Sequence, residues 1–162
     1  MKLSFVEIAS PVGLLKLVAN DHALVAVLWE NENPNRVRLA EWVEQPDHPI
    51  LIKAKNQLEE YFIGTRKQFD LPLEFEGTEF QKKVWQALLT IPYSETRSYQ
   101  QIAAQIGSIK AVRAVGAANG KNPISIIAPC HRVVGANGKL VGFAGGLKNK
   151  EILLSLESNS SC

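Results

Sequence analysis

The sequence predicts an α+β protein in two parts: a small N-terminal module built on an antiparallel sheet, residues 1–76, and a mainly helical, helix-turn-helix part, residues 77–162. Three observations predict it. Short apolar and β-branched runs separated by turn residues fill residues 3–29. Helical periodicity opened by capping residues takes over from Thr78. Acidic residues then disappear between positions 96 and 150 while eight Lys and Arg remain. With 162 residues, 46% hydrophobic and 21% charged, the chain can bury a substantial core and has the composition of an ordinary soluble protein.

Residues 3–8, 14–18 and 24–29 read as strands of a meander, broken by Pro11-Val12-Gly13 and Asn20-Asp21-His22. A further short strand is expected within 36–43. Residues 50–62 place Leu51, Ala54, Leu58, Tyr61 and Phe62 on one helical stripe that Gly64 closes. Residues 69–75 read as extended, interrupted by Pro72. His22 and His48 stand alone beside turn residues and are expected at the surface. Nothing in this module looks catalytic, and scaffolding is its expected role.

Thr78 and Gln81 form a capping box ahead of the stripe Phe80, Val84, Leu88 and Ile91, which ends before Pro92. Trp85 is expected in the core. Ser98 and Gln101 open a second helix that buries Ile102, Ala103 and Ile106 and stops at Gly107. A third helix is expected from about Ile109 to Asn119. Two short helices joined through a glycine turn, the second carrying Lys110 and Arg113, have the form of a helix-turn-helix. The third helix bears Ala111, Ala114, Gly116, Ala117 and Ala118 where a helix reading base edges would display long polar side chains. Small residues permit close approach to a sugar-phosphate wall, with Arg113 as the one long cationic probe; close packing inside the protein is the other reading.

The apolar run 124–128 is expected as a buried strand or extended segment that delivers Cys130. Asn137-Gly138 carries a hairpin signature, and 143–146 is a small-residue loop able to bring backbone N–H groups to a ligand. A last helix, 147–157, would turn Ile152, Leu153 and Leu156 inward.

Charge is distributed unevenly. Residues 1–95 carry a net −4, residues 96–150 a net +8, and the last twelve a net −2, for a total of +2. An acid-free basic stretch is the electrostatic footprint of a surface that meets a polyanion. The two cysteines, Cys130 and Cys162, lie in unrelated settings, which argues against a disulfide framework and for a reducing compartment. No C-x2-C or H-x3-H spacing indicates zinc, and no run has the length of a membrane span or the form of a signal peptide. A cytoplasmic location, or a nuclear one in a eukaryote, is expected.

Cys130 sits in Pro129-Cys130-His131-Arg132-Val133. The thiolate is the nucleophilic form of cysteine, so a base and a cation beside it are what a reactive thiol needs. The alternative is a buried cysteine acting as a small hydrophobe. Adjacent residues on a regular strand point to opposite faces, so Cys130 and His131 can cooperate only if Pro129 sets them in a turn.

Together with Ser98-Tyr99-Gln100-Gln101-Ile102-Ala103, Arg113-Ala114-Val115-Gly116, Asn122-Pro123 and Gly142-Phe143-Ala144-Gly145-Gly146, that motif resembles the O6-alkylguanine-DNA alkyltransferases, over about residues 77–157. The resemblance implies a ribonuclease-like N-terminal domain, a winged-helix-like DNA-binding domain, and direct repair of O6-alkylguanine and, to a lesser degree, O4-alkylthymine in double-stranded DNA, with no cofactor. Cys130 would accept the alkyl group once. His131, through a water and oriented by Glu157, would generate the thiolate. Tyr99 would assist nucleotide rotation and protonate the departing base. Arg113 would enter the base stack, with Lys110, Ala111 and Ala114 on the same minor-groove surface. Asn122, Val133, Phe143 and Ala144 would line the substrate pocket. Ser94 stands where the family commonly has glycine, and Phe143 where some members have tyrosine. The metal ligands of some members' N-terminal domains have no counterpart, so no metal is expected, and a monomer is. The alternative function is that of the non-enzymatic alkyltransferase-like proteins, which bind the lesion but lack the acceptor cysteine.

Overall fold

The structure is a computed structural model and describes residues 3–30, 36–37, 42–135 and 144–160. Strands β1 (Leu3–Ile8), β2 (Leu15–Ala19) and β3 (Leu24–Trp29) form the expected meander, with Phe5 opposite Val18 and Leu17 opposite Val27. A fourth strand, β4 (Trp42–Glu44), adds to β1 in parallel and completes the order β3-β2-β1-β4. The strand expected within 36–43 therefore lies later, and Arg36 and Val37 are in a turn. The Arg36 guanidinium explains the shift in part: it donates to the carbonyls of Gly120 (3.2 Å) and Asn122 (2.8 Å), drawing the segment across to the helical part.

Helix α1 (Pro49–Phe62) starts on proline, whose missing N–H is no loss in a first turn. His48 caps it, accepting from the Ile50 N–H at 3.2 Å, and is buried; the surface position expected for it is corrected by this capping contact. His22 is exposed, as expected. Helix α1 lays Leu51, Ala54, Leu58 and Tyr61 on the sheet face formed by residues such as Leu17 and Val27. Ile124, Ile126, Ile127 and Leu153, from far along the chain, complete this core. A backbone stitch joins the parts, Val27 N–H donating to Pro123 O (2.9 Å), while Leu24 N–H to Pro72 O (2.8 Å) ties the segment after α1 to β3 within the N-terminal part.

The helical part packs α2 (Glu79–Leu88), α3 (Tyr99–Gln105) and α4 (Val112–Gly120) around Trp85, whose indole N–H donates to Ala118 O at 2.8 Å. Both capping boxes form. Helix α2 ends at Leu88, short of the expected position, because Thr90 turns back onto Ala87 O (2.6 Å) ahead of Pro92. Helix α4 starts at Val112, later than expected, because residues 108–111 form a separate turn closed by Ala111 N–H to Ser108 O (2.8 Å).

The run 124–128 is no strand beyond one bridge between Ile124 and Val27. It coils through Ile127 N–H to Ser125 O (2.8 Å) and Ala128 N–H to Ile124 O (3.0 Å), with Ile126 at φ 72°. A β-branched residue there costs about 1–3 kcal/mol, held by the surrounding core. A two-residue parallel ladder, β5 (Arg97–Ser98) with β6 (Val133–Val134), fixes the start of α3 beside the end of the cysteine turn. Helix α5 (Leu147–Ser160) buries Leu153 with Lys150 and Glu157, one i, i+3, i+7 stripe that is polar at both ends; Ile152 and Leu156 are partly buried beside it. No described helix is long and apolar enough to cross a membrane.

Candidate active site

Pro129, at φ −80° and ψ 69°, leads into a single 3-10 turn, Cys130–Arg132. Successive side chains of such a turn are about 120° apart, not opposed, so the thiol and the imidazole can serve one site. The turn is the condition that the sequence left open. All three side chains are buried, and Cys130 keeps 3% of its surface.

Glu157 of α5 is the organising charge. Its Oε2 pairs with His131 Nε2 (2.6 Å) and accepts from Tyr61 Oη–H (2.6 Å) and Arg132 Nη2 (3.0 Å). Its Oε1 accepts from Arg132 Nε (2.9 Å) and the Ser94 N–H (3.2 Å). Burial pushes its pKa up, but the hydrogen bonds and charges of His131 and Arg132 outweigh burial and bring it down to about 2. A carboxylate so placed stays ionised and cannot take the proton of His131. The His131 Nε2–H therefore points at Glu157, and Nδ1, buried with no hydrogen-bond partner among the described residues, is the basic lone pair. Burial lowers the His131 pKa, against the pull of Glu157, so the imidazole is neutral and ready to accept a proton near neutrality.

Burial raises the Cys130 pKa; a hydrogen bond from the Asn122 side chain and the charges of Arg36 and Lys150 work against it. These two are the cations that bear on the thiol. Arg132, which stood next to Cys130 in sequence as the obvious candidate, instead commits its guanidinium to Glu157 and to Ile91 O (2.8 Å). Asn122 is fully buried and ties the turn: its Oδ1 accepts from Ile124 N–H (3.1 Å) and its Nδ2 donates to Ala128 O (2.8 Å). Tyr99, first residue of α3, is half-buried; burial raises its pKa, a hydrogen bond from Asn119 opposes this, and the charge of Cys130 adds to it.

Helix α4 divides its small residues between a packed face and an exposed one. Val115, Ala118 and Asn119 are buried, while Arg113, Ala114 and Ala117 are exposed, as is Lys110 before it; Ala111 is half-buried. A Cβ at Gly116 would meet the Tyr99 ring at 3.9 Å, an ordinary contact. Val133 is buried, and its carbonyl accepts from Lys150 Nζ at 2.6 Å. Ala144 is exposed. A Cβ at Gly145 would fall 2.6 Å from the Trp29 ring, so that glycine serves close packing onto the N-terminal sheet. Phe143, the Asn137-Gly138 hairpin and Cys162 lie outside the described residues. The described residues hold no group of His, Cys, Asp and Glu arranged for a metal.

Sequence reasoning missed Tyr61, Arg36, Lys150, Asn119, the Ser94 N–H and the true role of Arg132. Of these only Lys150 left a signal, lying seven residues before Glu157 on one helix face with Leu153 between them. Ser94 has φ 70°, the left-handed region that glycine enters freely.

A family profile described as "6-O-methylguanine DNA methyltransferase, ribonuclease-like domain" matches residues 6–75, and its partner, "6-O-methylguanine DNA methyltransferase, DNA binding domain", matches residues 79–159. The chain is 47% identical over 159 residues to a methylated-DNA--protein-cysteine methyltransferase of Mycolicibacterium paratuberculosis, covering 98% of this chain and 94% of that one. A protein of the same name from Methanosarcina acetivorans is 51% identical over 150 residues, covering 93% and 95%. Among solved structures, Mycobacterium tuberculosis OGT in complex with DNA matches with a TM-score of 0.90 at 45% identity, over 99% of this chain and 94% of that one. The O6-methylguanine-DNA methyltransferase of Pyrococcus kodakaraensis, at 20% identity and a TM-score of 0.54, shares the fold.

Proposed function

The chain belongs to the 6-O-methylguanine DNA methyltransferase family, and on that premise we propose that it repairs DNA by moving the alkyl group of O6-alkylguanine, and less readily of O4-alkylthymine, onto its own Cys130. The observation that carries the assignment to this cysteine is the buried turn that sets Cys130 beside His131, with Glu157 behind the imidazole.

Dealkylation is displacement at a saturated carbon. His131 Nδ1, through a water, takes the proton of Cys130; the sulfur attacks the alkyl carbon; the carbon–O6 bond breaks and its electron pair stays with the base. Tyr99 donates a proton to the departing guanine. Glu157 keeps Nε2–H oriented and stabilises the imidazolium. Asn122, Arg36 and Lys150 hold the thiolate against burial. The product is a thioether with no easy leaving path, so each molecule acts once.

Because Cys130 is secluded, the base must leave the stack to reach it. Extrusion costs a few kcal/mol, which Arg113 inserted from the exposed face of α4 and phosphate contacts offset. The low profile of Ala114 and Ala117 suits the minor groove. The exposed Ala144 belongs to the substrate pocket in this reading. Residues 1–76 and 77–162 are the two structural units of this reading, working as a monomer in the cytoplasm, or the nucleus of a eukaryote.

Intact mass of the protein mixed with a duplex containing O6-methylguanine tests it. One methyl in place of one proton, an increment of about 14 Da, should map to the Cys130 peptide and vanish in Cys130→Ala. Multiple turnovers, or modification at Cys162, would overturn the assignment.

A further inference from the structure

The N-terminal module reaches Glu157, behind the imidazole, through a side chain of α1. Tyr61 of α1 is fully buried, and its hydroxyl lies 2.6 Å from Glu157 Oε2, the same oxygen that pairs with His131 Nε2 at 2.6 Å. We propose that Tyr61 is a positioning residue for alkyl transfer: by donating to the Glu157 oxygen that orients His131, it sets how strongly the carboxylate holds the imidazole. This rests on the reading of His131 as the base.

The hydroxyl is not needed to satisfy the carboxylate. Arg132 already gives Glu157 two hydrogen bonds and the Ser94 N–H a third, and with His131 these fill about the four lone-pair sites a carboxylate offers. Nor is the hydroxyl needed for packing, because the ring makes its contacts with Phe62 (5.3 Å), Phe69 (5.5 Å) and Tyr93 (6.3 Å), which a phenylalanine would retain. What the hydroxyl adds is a share in the charge of one oxygen. With it, Oε2 pulls less on the Nε2 proton and the imidazole stays a proton acceptor. Without it, Oε2 pulls harder and the imidazolium is favoured.

The other groups facing this cluster come from three elements. Arg132 belongs to the cysteine turn, Lys150 lies on α5 and acts on His131, and Tyr93 precedes Ser94 with Lys67 and Arg132 at 5.7 Å and 5.6 Å from its ring. None of them changes when the Tyr61 hydroxyl is removed, so the variant isolates one hydrogen bond.

The test is Tyr61→Phe in the full chain, with single-turnover methyl transfer from an O6-methylguanine duplex measured from pH 5 to 9 and His131 followed by 15N NMR. The acid limb of the rate profile and the His131 titration should both move up by about half to one unit, a three- to ten-fold loss of neutral imidazole on the acid side. Phe69→Leu, which disturbs the same aromatic cluster without touching Glu157, should lower stability and leave the limb in place. Tyr61→3-fluorotyrosine keeps the fold and strengthens donation, and should move the limb the other way. A limb and a titration that stay put in both Tyr61 variants would overturn the proposal. The titration needs no transfer, so a wild-type protein that failed to methylate Cys130 would count against the proposed function while His131 still decided the role of Tyr61.

Discussion

The two sides of the cysteine turn are built on opposite principles. Behind it, Glu157 is fully buried and accepts or shares five hydrogen bonds from side chains and backbone of three separate segments. In front of it, α4 exposes Arg113, Ala114 and Ala117, with no acid anywhere from residue 96 to 150. The rear holds charge in a dry, over-determined cluster, where electrostatics are strong and every donor is committed. The front holds charge in water on a smooth surface, which in the proposed function steers a polyanion and fits its shape. Chemistry needs the first and docking the second.

The largest effect that could break this contrast is expected from Glu157→Gln. It leaves the Arg132 guanidinium buried without its counter-charge, a loss of about 3–5 kcal/mol of stability, readable by denaturant unfolding. Its pH dependence has a definite sign. The Glu157 pKa is about 2 when folded and ordinary when unfolded, so its contribution is fully present above the ordinary carboxylate pKa and is lost as pH falls toward 2. The gap corresponds to about 3 kcal/mol. Wild type and variant should therefore converge in stability between roughly pH 5 and 2; parallel curves would mean that the rear cluster is not held by this charge.

Arg113→Ala should act on the front alone. Repair of an O6-methylguanine duplex should fall by about ten- to a hundred-fold, while reaction with free O6-benzylguanine and the unfolding midpoint stay as in wild type. Equal losses on both substrates would erase the distinction between docking and chemistry.

Smallest is Ser94→Gly. Ser94 sits at φ 70° and holds its N–H on Glu157 Oε1. Glycine adopts that φ freely at an entropic cost, so stability should change by at most about 1 kcal/mol, in the direction of gain. A loss would show that the serine side chain, not only its backbone, supports the cluster.

Much of the fold was legible. The meander, the two capping boxes and the helix-turn-helix follow from period-2 and period-3.6 patterns and from local side-chain to backbone bonds, all short-range physics. The elements that read wrongly were those where local pattern is silent. The apolar run 124–128 is buried on every side, so it carries no periodicity, and Asn122 together with core packing coils it where a strand or extended segment was expected. His48 looked like a lone surface histidine because a cap is visible only once the helix has a partner to pack on.

In the candidate site, Cys130, His131 and Asn122 were legible because motif neighbours announce them. Tyr61 and Arg36 were not, lying 96 and 86 residues from Glu157 and Asn122, the groups they touch. The sequence by itself determined the reactive residue types, their order, the acid-free surface and the local elements, since these depend on spacing along the chain. Only the tertiary structure decided that Arg132 serves Glu157 and not the thiol, that Lys150 and Arg36 are the cations bearing on Cys130, and that the N-terminal module touches the relay. Hydrogen bonds and charges act through distances in space, and in a buried site those distances are set by which helix packs on which sheet.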